Sequence, residues 1–124
     1  MAGARHFEEL DCWTLAQELK LAIYEVSDRP KIKRDQRFYE QIRSAAASAT
    51  SNIAEGFGRR THADFARFLD VARGSLSECQ NHLRDGLDRG YLTETERSDL
   101  TDLAKRASGA VAGLQRYLRA KPKS

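Results

Sequence analysis

Residues Arg43–Arg60 read RSAAASATSNIAEGFGRR, an alanine-rich run that closes on two glycines and two arginines. Ala45, Ala46, Ala47 and Ala49 are strong helix formers with almost no side-chain bulk, so a second helix can come close. Asn52 and Glu55 then place polar groups beside apolar Ile53, Ala54 and Phe57. Gly56 is positioned for the left-handed site that follows a last helical turn, and Gly58, Arg59 and Arg60 come directly after it. Three longer helices are expected to pack round this small-residue helix and its turn.

Ile42, Ala46, Ala49 and Ile53 give the central helix its apolar face and predict a helix over 37–55. Upstream, Cys12, Ala16, Leu19, Ile23 and Val26 share one helical face and predict a helix over 8–27. Asp28-Arg29-Pro30 ends it, because the residue before proline is pushed out of the helical region. The connection from Asp28 to Gln36 is charged. Arg29, Lys31, Lys33 and Arg34 oppose Asp28 and Asp35, and Arg37 follows. It reads as a loop, either simply solvated or facing phosphates.

Downstream, Thr61 is an N-cap, and Asp64 holds the capping-box position of a helix over 62–89. Its stripe is Phe65, Leu69, Ala72, Leu76, Cys79, Leu83 and Leu87. Gly74-Ser75 interrupts an otherwise good helix and predicts a close helix contact there. Thr93 and Glu96 start a helix over 94–118, with a stripe of Leu100, Leu103, Ala107, Ala110, Leu114 and Tyr117. Leu76, Leu83, Leu103 and Leu114 are the expected core. The tail Arg119–Ser124, with Lys121 and Lys123, is expected to fray. Short connections follow the second and third helices, so those neighbours are expected to be antiparallel. The simplest architecture is one all-α domain over 1–124, an up-down-up-down antiparallel four-helix bundle.

Composition agrees. With 31% charged residues and two prolines, long solvated helices are favoured over a sandwich or barrel. A net charge of +3 is compatible with a nucleic-acid partner and equally with mere solubility. Cys12 and Cys79 fall on apolar faces and read as buried, reduced thiols. The N-terminus has no hydrophobic run for a signal peptide, and no stretch approaches the roughly 20 apolar residues of a membrane span. A cytoplasmic protein with no membrane contact is expected.

Catalytic chemistry is hard to assemble. His6, His62 and His82 are scattered. A di-iron bundle needs repeated Glu-x-x-His, and here Glu78 and His82 stand four apart with no second copy. Cys79 and His82 would supply two metal ligands, which do not close a site. The Gly56-x-Gly58 pattern lacks the preceding strand of a nucleotide loop. No enzyme activity, metal, cofactor or small-molecule substrate is expected. Asn52, Glu55 and Glu78 are read as a polar network fixing the turn and the helix contact, with a ligand site as the alternative. Arg59 and Arg60 stand at a helix N-terminus, where backbone amides favour anions. A phosphate or a neighbouring subunit's carboxylate would fit.

The strings QIR at 41–43, SNIAEGFGRR at 51–60, FARFLDVARGSLSE at 65–78 and GYL at 90–92, with Phe7, Leu10 and Trp13 upstream, form a recognisable pattern. The chain resembles the four-helix bundle proteins that include those encoded within intervening sequences of bacterial 23S ribosomal RNA genes. The resemblance implies a ring-like homopentamer. It also implies kinship with accessory proteins of diversity-generating retroelements, whose positive surface is linked to nucleic acid and reverse transcriptase. It brings no catalytic residues. Thr50 stands where family members often carry proline, so a weaker kink is expected.

Two functions result. The first is a non-enzymatic, homo-oligomeric accessory protein that contacts phosphates of RNA or DNA through Arg29, Lys31, Lys33, Arg34, Arg37, Arg59 and Arg60. The second is a protein-interaction scaffold with no nucleic-acid role. Self-association is expected because Trp13, Phe68, Val111 and Leu118 lie off the main stripes.

Overall fold

In the computed structural model, which describes residues 3–121, the alanine-rich stretch lies within one unbroken helix, α3 (Gln36–Phe57). Around it are α1 (Asp11–Ser27), the short α2 (Pro30–Arg34), α4 (His62–Asp88) and α5 (Glu94–Ala120). A 3-10 turn, Phe7–Glu9, precedes α1, so the first helix begins at Asp11 rather than at the expected residue 8. No strand occurs among the described residues. α3 packs on α1 and α4, and α5 packs on α4 and α1, so each long helix has two long neighbours round one core. No described helix is long and apolar enough to cross a membrane.

The helix ends follow local chemistry. Asp35 caps α3 by accepting the Phe38 N–H at 3.3 Å, and Thr61 caps α4 by accepting the Asp64 N–H at 3.1 Å. Asp64 turns to Arg67, 2.9 Å away. Thr93 and Glu96 form the full reciprocal box on α5. Gly90 closes α4 with φ +77°, while Tyr91 N–H and Gly90 N–H donate to Gly86 and Leu87 carbonyls at 2.8 and 3.0 Å. That is the paired bond pattern of a left-handed helix stop.

Four expectations are corrected. The Asp28–Gln36 connection is not a loop throughout. Pro30 sits in the first turn of α2, where its missing N–H costs nothing, and α2 buries Ile32. Gly56 does not take a left-handed site: it is helical, and α3 ends on Gly58 at φ −80°. It is needed for closeness, because a Cβ there would lie 2.8 Å from Phe65 Cδ1 and 2.9 Å from Phe68 Cβ. Gly74 makes no close contact, since nothing lies within 4 Å of a Cβ at that position. The contact belongs to buried Ser75, whose hydroxyl is 2.8 Å from that of Ser48. Thr50 bonds back to the Ala47 carbonyl at 3.0 Å without breaking α3.

The last correction concerns α5. Leu76 and Leu83 are fully buried as expected, but Leu103 and Leu114 are only half-buried. The inward row is Ala104, Ala107, Val111, Gln115 and Leu118. Gln115 holds α5 in this rotation. Its Nε2 donates to the Ala66 carbonyl at 3.0 Å and to Asp70 Oδ1 at 2.6 Å, pinning α5 on α4. Alanines at the centre let the axes approach, and the bulkier leucines fall to the flanks. Val111 and Leu118 therefore each contribute about 1.5–3 kcal/mol of burial to the monomer. α5 runs on through Ala120, and Pro122, Lys123 and Ser124 of the expected frayed tail lie outside the described residues.

Candidate nucleic-acid interface

The expected phosphate-contacting residues lie at both ends of α3. At its N-terminal end, α2 docks on the α4–α5 connection. Arg29 spans Glu96 with both terminal nitrogens, Nη1 to Oε1 at 3.0 Å and Nη2 to Oε2, and Nη1 also donates to the Tyr91 carbonyl at 3.1 Å. The guanidinium's hydrogen bond, with the Thr93 N–H, draws the Glu96 carboxyl from 4.5 to about 2. Lys31 Nζ donates to the Gly90 carbonyl at 2.7 Å. Asp35 Oδ2 accepts from the Tyr91 hydroxyl at 2.6 Å and from Arg89 at 3.0 Å. The Tyr91 bond is the main cause holding the Asp35 carboxyl below its ordinary value. Lys33 lies 3.7 Å from Asp28. Arg34 and Arg37 are exposed and have no carboxylate partner among the described residues.

At the other end of α3, Arg59 pairs with Glu55 at 3.0 Å and lies 4.5 Å over the Phe68 ring. Arg60 is exposed without such a partner among the described residues. A helix of 22 residues is about 33 Å long. The basic set is therefore not one patch, and Arg29, Lys31, Lys33 and Arg59 each have a polar partner within the chain. Arg34, Arg37 and Arg60 are the exposed members without a carboxylate partner among the described residues. Their planar guanidiniums can grip phosphate oxygens in pairs.

The polar network also has other members than expected. Asn52 donates to the Ser48 carbonyl at 2.8 Å and to its hydroxyl at 3.1 Å, and Ser48 meets Ser75 across the α3–α4 contact. Glu55 turns to Arg59, and Glu78 to His82 at 3.4 Å, so neither shares a bond with Asn52. Arg43 does comparable work against α1. It stacks 4.1 Å from the Tyr24 ring centre and 4.8 Å from that of Tyr39, and donates to Ser27 Oγ at 3.0 Å. Its signal is an arginine placed immediately before the small-residue run Ser44–Ser51.

Cations outside the expected set cluster toward the C-terminus. Leu103–Ser124 hold six of the 21 lysines and arginines and none of the 18 carboxylates. Residues 1–102 carry 15 cations against all 18 acids. The positive net charge therefore resides in the α5 C-terminal half and tail. Lys105, Arg106 and Arg116 are exposed and unpaired among the described residues, while Arg119 lies 3.9 Å from Asp70.

Among the described residues, no three of His, Cys, Asp and Glu gather to hold a metal. Burial pushes the Cys12 thiol up to about 11 and Cys79 to about 12, which suppresses the nucleophilic thiolate in both. A cleft of about 520 Å³ beside α1 and α5 is lined by Leu10, Cys12, Leu114 and Tyr117 among others.

The model of the 23S rRNA-intervening sequence protein family matches residues 8–113. The fold is also that of a crystal structure from Bacteroides thetaiotaomicron, a protein of unknown function from the S23 ribosomal protein family. The TM-score is 0.76 at 17% identity, over 85% of this chain and 98% of that one. No curated protein matches the chain.

Proposed function

The chain belongs to the 23S rRNA-intervening sequence protein family, and on that footing we propose that it is a non-enzymatic, homo-oligomeric helical bundle that binds nucleic acid through phosphates. The observation that carries this reading is the set of exposed, unpaired guanidiniums at Arg34, Arg37 and Arg60. Cations without carboxylate partners are free to neutralise phosphates and so release the counterions condensed on the nucleic acid. Base edges play little part, so RNA and DNA are both bound, weakly and without sequence preference. The helices run up-down-up-down. Tyr24 near the end of α1 meets Arg43 early in α3, and Asp35 at the start of α3 meets Arg89 at the end of α4. Val26 late in α1 and Leu100 early in α5 line one cleft. The reduced, buried thiols suit a cytoplasmic setting, and the family resemblance gives five subunits.

Fluorescence anisotropy with labelled RNA and DNA across salt tests the reading. Binding should fall steeply with salt, and Arg34→Glu with Arg37→Glu should weaken both nucleic acids alike. Salt-independent affinity, or affinity unchanged in that double variant, would reject it. A scaffold without nucleic acid is the second reading. It is favoured by the half-buried row Leu100, Leu103, Ala110, Leu114 and Tyr117 on the flank of α5.

A further inference from the structure

The outward face of α1 and that of the C-terminal half of α5, beyond Asp99 and Asp102 on the same row, carry opposite charge. Along α1, Asp11, Thr14, Glu18, Leu21, Glu25 and Asp28 step by three and four residues, and every one is exposed. Asp11, Glu18 and Glu25 have no ion-pair partner among the described residues. Leu21, midway between the two glutamates, is 54% exposed, which is rare for a large apolar side chain here. Along α5, the outward face carries Arg106, Gly109, Gly113 and Arg116, with Lys105 beside them. A Cβ at Gly109 would meet nothing within 4 Å, and at Gly113 only the end of the Arg116 side chain at 3.7 Å. The fold itself therefore needs neither glycine, although each weakens the interior of its helix relative to alanine.

We propose that these two faces bind each other between copies of this chain: Leu21 of one protomer seats over Gly109 and Gly113 of the next, with Glu18 and Glu25 meeting Arg106 and Arg116. The proposal rests on the homo-oligomer reading above and assigns its contact. The spans are compatible. Glu18 to Glu25 is about 10.5 Å along the helix and Arg106 to Arg116 about 15 Å, so the long arginines fold inward onto the carboxylates. The missing side chains on α5 leave a hollow where the α1 backbone can come close, and Leu21 supplies the projecting group. Two different faces in one contact make it heterologous, the type that closes into rings. Charge on both sides steers the encounter and opposes wrong registers.

Light scattering on the full chain, with circular dichroism as a folding control, tests this. Wild type should give a multiple of 14.0 kDa. Glu18→Lys with Glu25→Lys, and separately Arg106→Glu with Arg116→Glu, should each give the monomer mass with helix content retained. The four changes combined in one chain should restore the assembly. Gly109→Leu with Gly113→Leu should fill the hollow and give a helical monomer. Should one reversed pair fail to fold, the other pair and the glycine variant decide. Wild-type mass in a reversed pair, or a folded monomer from the combined chain, overturns the assignment. Wild-type mass with RNA and DNA binding lost in the arginine pair would give this face to phosphates instead. A monomeric wild type would reject self-association itself.

Discussion

Tyr91 donates its phenolic hydrogen to Asp35 Oδ2 across 2.6 Å, although the two residues stand 56 apart in sequence. Asp35 caps the start of α3, and Tyr91 follows the glycine that ends α4. One hydrogen bond thus joins the beginning of one long helix to the end of the next. The Tyr91 ring adds an edge contact on Phe38, with centroids 5.1 Å apart.

Tyr91→Phe should keep the ring contact and lose only the hydroxyl. Asp35 would retain Arg89 and the Phe38 N–H. A loss of about 1.5–3 kcal/mol in urea unfolding is expected for a hydrogen bond to a carboxylate. No measurable loss would mean that water replaces the hydroxyl without cost.

Acid should loosen the same end of the molecule. The Glu96 carboxyl sits near 2 when folded against an ordinary 4.5, because Arg29 favours its charged form. A depressed carboxyl stabilises the fold fully above about 4.5, and that contribution disappears as pH falls through about 2. Glu96→Gln should therefore be less stable near neutrality and show a shallower acid decline over that window. Parallel pH profiles of the two proteins would refute the linkage.

Two glycine replacements should move stability in opposite directions. Gly56→Ala would set its methyl within 3 Å of Phe65 and Phe68, an overpacking that costs about 1–3 kcal/mol. Gly74→Ala enters open space on a helix and should stabilise by about 0.4–1 kcal/mol. Thermal unfolding of both distinguishes closeness from helix propensity. Equal shifts would contradict the packing described for Gly56.

Core truncations should separate the two rows of α5. Leu118→Ala removes a fully buried side chain and should cost about 2–5 kcal/mol. Leu103→Ala, half-buried on the flank, should cost clearly less in denaturant titration of the monomer. The reverse order would restore the row that the sequence favoured.

The apolar period of α1, α3 and α4 was legible because Ile, Leu and Phe mark the inward face directly, as at Leu19, Ile53 and Leu76. In α5 the same rule misled. Alanines and a glutamine line its centre, so the leucines that carry the visible signal sit beside the core rather than in it. Thr61 and Thr93 marked helix starts correctly, because a cap depends on residues three apart. The partners of Arg29 and Lys31 could not be read from the sequence. Glu96 and Gly90 are distant along the chain, and only the folded connection brings them together.

The docking of α2 also sets an order of assembly. Its contacts Arg29–Glu96 and Lys31–Gly90 enclose 67 and 59 residues of chain, whereas α3 and α4 are joined by only residues 58–61. The entropy of closing a loop rises with its length, so the short hairpin should form early and the α2 clasp last. The clasp should also open first under native conditions. Amide hydrogens of Ile32 to Asp35 are expected to exchange faster than those of Leu76 to Leu83, through an opening that leaves the α3–α4 hairpin intact.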